Sequence, residues 1–267
     1  MIRRDFLKKC GLIAAGTALT DPFAMANDLM ISPSGDEGNF NVKFRSLKPQ
    51  TSKQITVVII GAGNRGRLYA SYAKMFPENV KVVGVSDILE SRRHDMADKH
   101  NVPQENRFGH YNEVFTRPKF ADAVVIATPD DRHVEPCLKA MELGYDILLE
   151  KPAAPTEKEC RQILAHSKKY GSIVAVCHVL RYAPYFIALK AAIDSGMIGK
   201  LVSVQHMEPI QYAHMAHSYV RGNWRNSEET TPIILAKSCH DLDIMRWLIG
   251  SPCKTITADG SLHLFKK

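Results

Sequence analysis

A glycine-rich turn in the first third of the chain has the spacing of a phosphate-binding loop. Gly61, Gly63 and Gly66 form a G-x-G-x-x-G pattern that follows the apolar run ITVVII and opens a helical pattern. In that context the first glycine allows a tight turn, the second lets the backbone approach a pyrophosphate, and the third lets helix and strand pack closely. The amides at the helix start would hold the phosphates. A plain strand–turn–helix with glycines for packing is the alternative.

An acidic residue closes the next apolar run, VKVVGVSD, at Asp87. An acid at this place binds the ribose hydroxyls of adenosine, which favours NAD as the cofactor. Arg92 and Arg93 follow closely and could instead meet a 2′-phosphate, so NADP stays open. Asn64 and Arg65, inside the glycine turn, complete the candidates for this half of the cofactor site.

Two further apolar runs, ADAVVIATP and YDILLE, end in a proline and in charged residues. Proline cannot donate to a strand ladder, and charges are rarely buried without partners. Ligands of open α/β sheets bind beyond the carboxyl ends of the strands. We therefore predict that the residues at these two ends lie near a nicotinamide: Thr128, Pro129, His133, Glu150 and Lys151.

The segment QHMEPIQYAHMAHSYVRGNWR, residues 205–225, is rich in rings and hydrogen-bonding side chains. Carbohydrate sites combine aromatic faces with placed polar groups, so this composition suits a sugar-lined cleft, although an ordered surface loop is the alternative. Arg221 or Arg225 could bind an anionic sugar. The substrate candidates from this segment and upstream of it are Tyr182, His206, Tyr212, His217, Arg221, Trp224 and Arg225.

Apolar runs and helical patterns alternate between residues 54 and 178. We predict strands at 55–60, 80–87, 121–129, 145–150 and 172–178, with helices at 65–76, 88–100, 130–143 and 156–170. Such alternation predicts βαβ units and a doubly wound parallel sheet buried on both faces. Gly144 should end one helix, and Thr156 with Glu159 should cap the start of another.

The pattern loosens after about residue 180. We predict helices at 184–195 and 234–249, a strand at 200–207 and the start of another at 254–260. The domains are therefore predicted as a signal peptide (1–26), a linker or arm (27–53), an NAD(P)-binding Rossmann domain (54–178) and a partial substrate domain (179–267).

The N-terminus, MIRRDFLKKCGLIAAGTALTDPFAMAND, has the three regions of an export signal. Arg3 and Arg4 precede a short apolar run and an A-x-A site at residues 24–26, and the run is too short to span a bilayer. Paired arginines before Phe6 resemble a twin-arginine signal, which predicts a periplasmic protein. A basic amphipathic helix is the alternative.

Composition excludes several classes of protein. The 267 residues are 45% hydrophobic and 24% charged, which is ordinary for a soluble globular chain. The formal charge of +7 is scattered and accompanies no nucleic-acid motif, so we predict no nucleic-acid partner and no stable membrane insertion.

Six cysteines lack a C-x-x-C pair and are interpreted as buried thiols. Glu208, His214 and His217 have the side chains of metal ligands, so a metal site is the alternative, but their spacing matches no closed zinc pattern and no metal is predicted.

Taken in order, these residues resemble the Gfo/Idh/MocA oxidoreductases, the glucose–fructose oxidoreductase and inositol dehydrogenase family. The resemblance covers about residues 54–265 and is most specific at Glu150-Lys151-Pro152. It implies a Rossmann domain followed by an α/β domain with a mainly antiparallel sheet, truncated here, and a homo-oligomer if that domain is complete. The implied activity is hydride transfer between NAD(P) and a hydroxyl carbon of a sugar or cyclitol.

The resemblance also implies roles for individual residues. Lys151 would lie near the reacting hydroxyl, and His240 would act as acid/base or bind the substrate together with Asp243, because HDLDIMRWLIG is similar to the family's H-x-x-D helix. The family's aspartate four residues before the histidine is Ala236 here, so either the neighbouring Lys237, a catalytic candidate, reshapes the site or the chemistry differs.

Two other functions stay open at this point. Some members of the family are NAD-dependent glycosidases, which keep NAD bound and oxidise a sugar hydroxyl transiently. A non-catalytic NAD-binding sensor is the other option, since the usual aspartate is missing. Net reduction of NAD, glycoside cleavage without net redox, and sugar binding without turnover distinguish the three.

Overall fold

The computed structural model describes residues 29–33, 40–44, 53–261 and 263–265. The predicted signal peptide lies outside the described residues. The chain divides into two units, one of Thr51–Cys177 with Gln211–Cys239, and one of Met1–Gln50, His178–Ile210 and His240–Lys267. We call them the sheet unit and the second unit.

The elements of the described residues alternate as βαβ units along most of the sheet unit. The strands are β1 (Leu29–Pro33), β2 (Phe40–Phe44), β3 (Ile55–Ile60), β4 (Val80–Ser86), β5 (Arg107–Phe108), β6 (Ala123–Ile126), β7 (Asp146–Leu149) and β8 (Val174–Val176). The α-helices are α1 (Asn64–Met75), α2 (Glu90–Lys99), α3 (Tyr111–Val114), α4 (Val134–Glu142), α5 (Glu157–Tyr170), α6 (Pro184–Asp194), α7 (Tyr212–His214), α8 (Ile233–Ala236) and α9 (Cys239–Ile249).

Shorter helical turns connect these elements. Three 3₁₀ turns lie at Gln104–Asn106, Asp130–Arg132 and Val179–Tyr182, and a π-helix at Met215–Val220 follows α7.

The sheet unit is built on a six-stranded parallel sheet in the order β5-β4-β3-β6-β7-β8. The order reverses at β3, which pairs with β4 on one side and with β6 on the other. Ligands of such sheets bind outside the carboxyl ends of the strands at this reversal. The predicted α/β fold with a doubly wound parallel sheet is confirmed.

Strand β3 lies in the middle of the sheet, and apolar side chains cover both of its faces. Val58 and Ile60 pack into one apolar core, while Val57 and Ile59 pack into a second core on the opposite face. Successive side chains of a strand point to opposite faces, so a continuous apolar run suits a strand buried on both sides.

The helix ends follow the predicted signals. Gly144 has φ +79° just after α4, a left-handed conformation that glycine adopts without strain. Thr156 and Glu159 form the predicted capping box of α5. A second capping box at α3 was not predicted, because its N-cap residue is His110, whose Nδ1 accepts from the Asn112 amide at 3.2 Å.

The second unit differs from its predicted pattern. Helix α6 is present, but residues 200–207 and 254–260 form no strand among the described residues. Val202 is 92% exposed and Ile256 is 77% exposed. A strand exists only through pairing, and neither segment lies in a ladder. Two strands do occur where a linker was predicted: β1 and β2 pair antiparallel, with Leu29 opposite Phe44.

The five cysteines that the structure describes form no disulfide bond. Cys137 and Cys177 are buried as predicted, whereas Cys160 and Cys253 are exposed, which corrects the interpretation of all of them as buried thiols. In the part of the chain that the structure describes, no helix combines the length and the apolar character needed to cross a bilayer.

Asp122 binds the start of β3 through hydrogen bonds, and its replacement should change how the stability of the chain depends on pH. Its carboxylate accepts from the Thr56 hydroxyl and amide at 2.6 and 2.8 Å and from Lys53 Nζ at 2.9 Å. These hydrogen bonds hold the pKa of Asp122 well below its usual value. The folded chain therefore binds fewer protons than the unfolded chain, so this stabilisation is present above pH ~4 and is lost as the pH falls.

We expect Asp122→Asn to lower the free energy of unfolding by about 1 kcal/mol near neutral pH. The variant should also flatten the dependence of that free energy on pH between about pH 5 and pH 2. Urea denaturation across this range measures both effects, with Asp194→Asn, at an exposed side chain that ends α6, as the control. A slope identical to that of the unaltered chain would contradict the assignment.

Candidate functional site

The glycine turn is forced by close backbone approaches. Gly61 has φ +93°, and a Cβ there would lie 2.5 Å from the Ala127 carbonyl oxygen. A Cβ on Gly66 would lie 1.9 Å from the Gly61 carbonyl oxygen. Helix α1 begins directly after Gly63, which has no side chain to cap its first amides. These amides can therefore serve an anionic ligand.

A cavity of about 810 Å³ lies at the carboxyl ends of β3, β4 and β6. Its volume is in the range of cofactor sites. Within the sheet unit, the glycine turn, Asp87 and the tripeptide Ala127-Thr128-Pro129 meet at this cavity. The predicted cofactor residues that line it are Gly61, Gly63, Asp87, Thr128 and Pro129.

Asp87 is fixed by backbone amides of the turn. Its Oδ2 accepts from the Ala62 amide at 2.7 Å and its Oδ1 from the Leu89 amide at 2.8 Å. Each carboxylate oxygen keeps a further acceptor position, which ribose hydroxyls could use. Arg93 donates to the Asp87 carbonyl oxygen at 2.7 Å, whereas Arg92 lines the cavity. The first amides of α1, the Asp87 carboxylate and the glycine turn all fit a dinucleotide.

Arg65 and Glu150, both predicted to contact the cofactor, contact each other instead. Arg65 Nε and the Tyr69 hydroxyl each donate to Glu150 Oε1 at 2.5 Å. Glu150 is 4% exposed and does not line the cavity. Burial alone would raise its pKa, but the hydrogen bonds from Tyr69 and Arg65 outweigh burial and hold the pKa below its usual value. The buried carboxylate is thus ionised and joins α1 to the end of β7.

Glu150 also orients the residue that follows it. Its Oε2 accepts from the Lys151 amide at 2.9 Å. Sequence reasoning missed Tyr69, whose pKa is raised by burial and by its bonds to Cys177 and Glu150. The only sequence signal for it was its place one helical turn after Arg65.

His133 is fully buried, and its ring lies between two backbone carbonyls rather than at the cavity. Nδ1 is 2.8 Å from the Pro152 oxygen and Nε2 is 3.0 Å from the Thr128 oxygen. The ring therefore joins the ends of β6 and β7, beside the cis peptide bond between Lys151 and Pro152. Its action on a cofactor can only be indirect, through the position of Thr128. The predicted residues Asn64 and Gly66 also lie outside the cavity lining.

Lys151 is half-buried at the end of β7, and Nζ donates to the Ala236 carbonyl oxygen at 2.6 Å. Ala236 occupies the position at which the resembling family carries aspartate. The partner of Lys151 Nζ is thus a backbone carbonyl oxygen. Lys237 follows at the end of α8. Sequence could not show this contact, since any residue supplies a carbonyl.

A buried carboxylate anchors the polar-aromatic segment to the sheet unit. Asp130 is 3% exposed, and its Oδ2 accepts from Trp224 Nε1 at 2.9 Å and from the Thr231 hydroxyl at 2.5 Å. Asn223 and Arg225 on the anchored segment line the 810 Å³ cavity. Trp224, predicted to contact substrate, therefore holds this wall in place, and neither Asp130 nor Thr231 was predicted.

Loss of the Thr231 hydroxyl should loosen this wall. Thr231→Val keeps the shape of the side chain but leaves the buried Asp130 with one donor fewer, which costs about 1–3 kcal/mol of stability. We also expect a several-fold rise in the dissociation constant of NAD, measured by calorimetry. Thr116→Val is the matched control, because that hydroxyl bonds only the exposed Glu113 carbonyl. Equal stability and equal NAD affinity in both variants would contradict the anchor.

The second unit carries its own cluster of charged side chains. Arg181 donates to both oxygens of Asp243 at 2.7 and 2.6 Å, and His206 Nε2 lies 2.6 Å from Asp241 Oδ1. The ring centroids of His178 and His240 are 6.1 Å apart. The carboxylate predicted for substrate, Asp243, is therefore engaged by Arg181, a residue that sequence reasoning did not select. Tyr182, the residue after Arg181, is 66% exposed.

The remaining predicted substrate residues lie in the sheet unit. Tyr212, His217 and Arg221 are exposed on α7, on the π-helix and just after it. Across the described residues, no group of three or more His, Cys, Asp or Glu side chains is arranged to hold a metal ion.

Comparison with known proteins agrees with this geometry. Residues 55–178 match the model of an oxidoreductase family described as an NAD-binding Rossmann fold, and residues 186–266 match the GFO/IDH/MocA C-terminal domain. Together the two models cover more than three quarters of the chain. The sheet unit thus contains an NAD-binding Rossmann fold.

Similar proteins include an uncharacterized oxidoreductase, YrbE, of Bacillus subtilis (strain 168), 29% identical over 212 residues, which are 79% of this chain and 58% of that protein. The scyllo-inositol 2-dehydrogenase (NAD(+)) of the same organism is 27% identical over 209 residues, which are 78% and 58% of the two chains. A crystal structure of scyllo-inositol dehydrogenase from Lactobacillus casei with bound NAD(H) and scyllo-inositol has a TM-score of 0.63 at 21% identity, over 74% of this chain and 57% of that one.

The chain spans a little over half the length of these relatives. Both matched models belong to one family, and they follow each other in the order that the sequence motifs predict. The chain belongs to the Gfo/Idh/MocA oxidoreductase family.

Proposed function

We propose that this chain binds NAD in the 810 Å³ cavity and transfers a hydride between NAD and a hydroxyl carbon of a sugar or cyclitol. The observation that carries the proposal is the meeting of the glycine turn, Asp87 and Thr128-Pro129 in one cavity at the carboxyl edge of the sheet. Lys151 follows β7, two residues after its last residue, Leu149. Relatives named as inositol dehydrogenases support the substrate class.

The residues of the sheet unit have distinct tasks in this proposal. The glycine turn and the first amides of α1 hold the pyrophosphate, and Asp87 accepts from the adenosine ribose. Thr128 and Pro129 place the nicotinamide, and bound NAD supplies the hydride acceptor. Lys151 takes the hydroxyl proton as the hydride leaves the carbon, which is general-base catalysis.

The second unit carries substrate candidates of its own. His240, as acid/base, would work with Tyr182 and His206, and the predicted mainly antiparallel sheet belongs to this part of the proposal. In the sheet unit, Tyr212, His217, Arg221 and Arg225 stay substrate candidates, and Lys237 stays a catalytic candidate.

A substrate screen tests the proposal. Purified chain is incubated with NAD or NADP and with scyllo-inositol, myo-inositol, D-glucose, D-glucuronate and D-glucose 6-phosphate, and reduced nucleotide is followed by absorbance. We expect NADH with at least one of these compounds and slower reduction of NADP. Cleavage of aryl glycosides without net NADH would instead support the glycosidase hypothesis. Nucleotide binding without either reaction would support the sensor hypothesis.

We also propose that the chain is exported by its twin-arginine-type N-terminus. The support is the order of Arg3-Arg4, the apolar run and the A-x-A site in the sequence. Replacing Arg3 and Arg4 by lysine should shift the protein from the periplasmic to the cytoplasmic fraction, and an unchanged distribution would refute export by this route. The predicted homo-oligomer stays a prediction.

A further inference from the structure

We propose a second ligand subsite in the sheet unit, in which Arg221 and His217 bind an oxyanion carried by the sugar substrate. The subsite is a hollow of about 330 Å³ lined by His217, Ser218, Arg221, Gly222, Asn223 and Trp224. We call it the anion hollow. The inference rests on the proposed function, since it assigns a charge to the substrate of the same enzyme.

The backbone of this segment is folded tightly enough to make a defined wall. The π-helix Met215–Val220 ends where the Arg221 amide donates to the Ala216 oxygen at 3.1 Å. At Gly222 a Cβ would lie 2.3 Å from the His217 oxygen and 2.8 Å from the Ser218 oxygen. Only glycine permits this approach, and π-helical turns occur often at functional sites.

The wall is also held from the side of the sheet. The Trp224 amide donates to the Ser218 oxygen at 3.2 Å, and the Trp224 indole donates to the buried Asp130. The indole ring therefore has a fixed orientation in the lining of the hollow. A fixed aromatic face beside hydrogen-bonding groups is a common arrangement for a sugar ring.

The charge of the anion hollow is unbalanced. In the described part of the chain, the side chains of Arg221 and His217 have no hydrogen bond or ion pair, and no carboxylate lines the hollow. Arg225, four residues on, differs because it lies 3.5 Å from Glu229. A guanidinium with free donors matches the planar, two-oxygen geometry of a carboxylate or a phosphate. The hydroxyl of Ser218 and the amide of Asn223 add further donors.

The anion hollow borders the cofactor cavity. Asn223 lines both of them, so a ligand in the hollow would lie next to the cavity that we assign to NAD. A volume of about 330 Å³ is at the lower end of ligand sites and has room for one monosaccharide rather than a second dinucleotide. The structure therefore favours an anionic monosaccharide over a neutral cyclitol.

Binding of three related sugars tests this inference without requiring turnover. The NAD-saturated chain is titrated by calorimetry with D-glucuronate, D-glucose 6-phosphate and D-glucose, which share one ring and differ in charge. The fluorescence of Trp224 gives a second signal, and Trp247→Phe removes the only other tryptophan. We expect at least one anion to bind about tenfold or more tightly than glucose, equivalent to about 1.4 kcal/mol. The stronger of the two anions identifies a carboxylate or a phosphate.

Substitution of the arginine connects that preference to the hollow. Arg221→Gln should remove the preference for the anion and leave glucose binding unchanged, whereas Arg161→Gln, exposed on α5, should keep it. Equal binding of charged and neutral sugars, an unaltered preference in Arg221→Gln, or no binding of any of the three would overturn the inference. Arg221-dependent binding without NADH formation would support the subsite and contradict the proposed function. NADH formed from neutral sugars alone would support the proposed function and contradict the subsite.

Discussion

Replacing Lys151 by methionine should lower kcat by about a thousandfold and leave NAD binding nearly unchanged. Methionine approximates the length of the lysine stem but cannot accept a proton. Lys151 Nζ is held by the Ala236 carbonyl oxygen at the end of β7, outside the lining of the NAD cavity. Removal of the amine should therefore affect proton transfer rather than affinity for the cofactor.

Steady-state kinetics with the best substrate of the screen and calorimetry with NAD measure the two effects separately. Lys119→Met is a close control, because Lys119 Nζ also donates to a backbone carbonyl, that of Gly144 at 2.6 Å, which precedes β7 rather than following it. A kcat within tenfold of the unaltered chain would mean that another group takes the proton.

The second large effect is expected at the glycine turn, where packing and binding can be separated. A Cβ on Gly66 would lie 1.9 Å from the Gly61 carbonyl oxygen and 3.2 Å from Ile59, both in the tightly packed centre of the unit. Backbone atoms cannot yield by that distance without moving β3 or α1. Gly66→Ala should therefore destabilise the chain by about 3 kcal/mol or more and abolish NAD binding.

Gly63→Ala should behave differently. A Cβ there meets only Arg92 Nη1, at 3.8 Å, so the fold can accommodate it. The added methyl group would instead occupy the space in which the backbone approaches the pyrophosphate. We expect unchanged thermal stability and at least about a tenfold weaker affinity for NAD. Gly260→Ala, with open space around it, is the control. Equal NAD affinity in Gly63→Ala would place the pyrophosphate elsewhere.

The sheet could be predicted because its signals are local. The apolar run of β3 is long enough for a strand buried on both faces, and the two alternating sets of side chains fill the two cores. Gly61, Gly63 and Asp87 were also predictable, since a tight turn and an acid at a strand end leave fixed spacings in the sequence.

The contacts that position the chemistry could not be predicted, because they join distant parts of the chain. Arg65 and Glu150 lie 85 residues apart, as do Lys151 and Ala236. Asp130 and Thr231 are separated by 101 residues. Each partner alone has an ordinary interpretation as a surface charge, a helix residue or a loop hydroxyl. Only the folded chain shows that Glu150 is an internal support and that Lys151 Nζ donates to the carbonyl oxygen of Ala236.

In the second unit, local signals predicted strands that the structure does not show among the described residues. Residues 200–207 carry the β-branched residues that favour a strand, yet Val202 and Val204 are exposed and unpaired with any described strand. A strand depends on a partner that its own sequence does not contain.

The stoichiometry of NAD on the purified chain decides whether the cavity beside the glycine turn holds a dinucleotide. Protein prepared without added cofactor is denatured, the released nucleotide is quantified, and the emptied chain is then titrated with NAD. We predict about one NAD per chain, either retained or taken up in the titration, and weaker uptake by Gly63→Ala. A folded chain that neither carries nor binds NAD or NADP would contradict it.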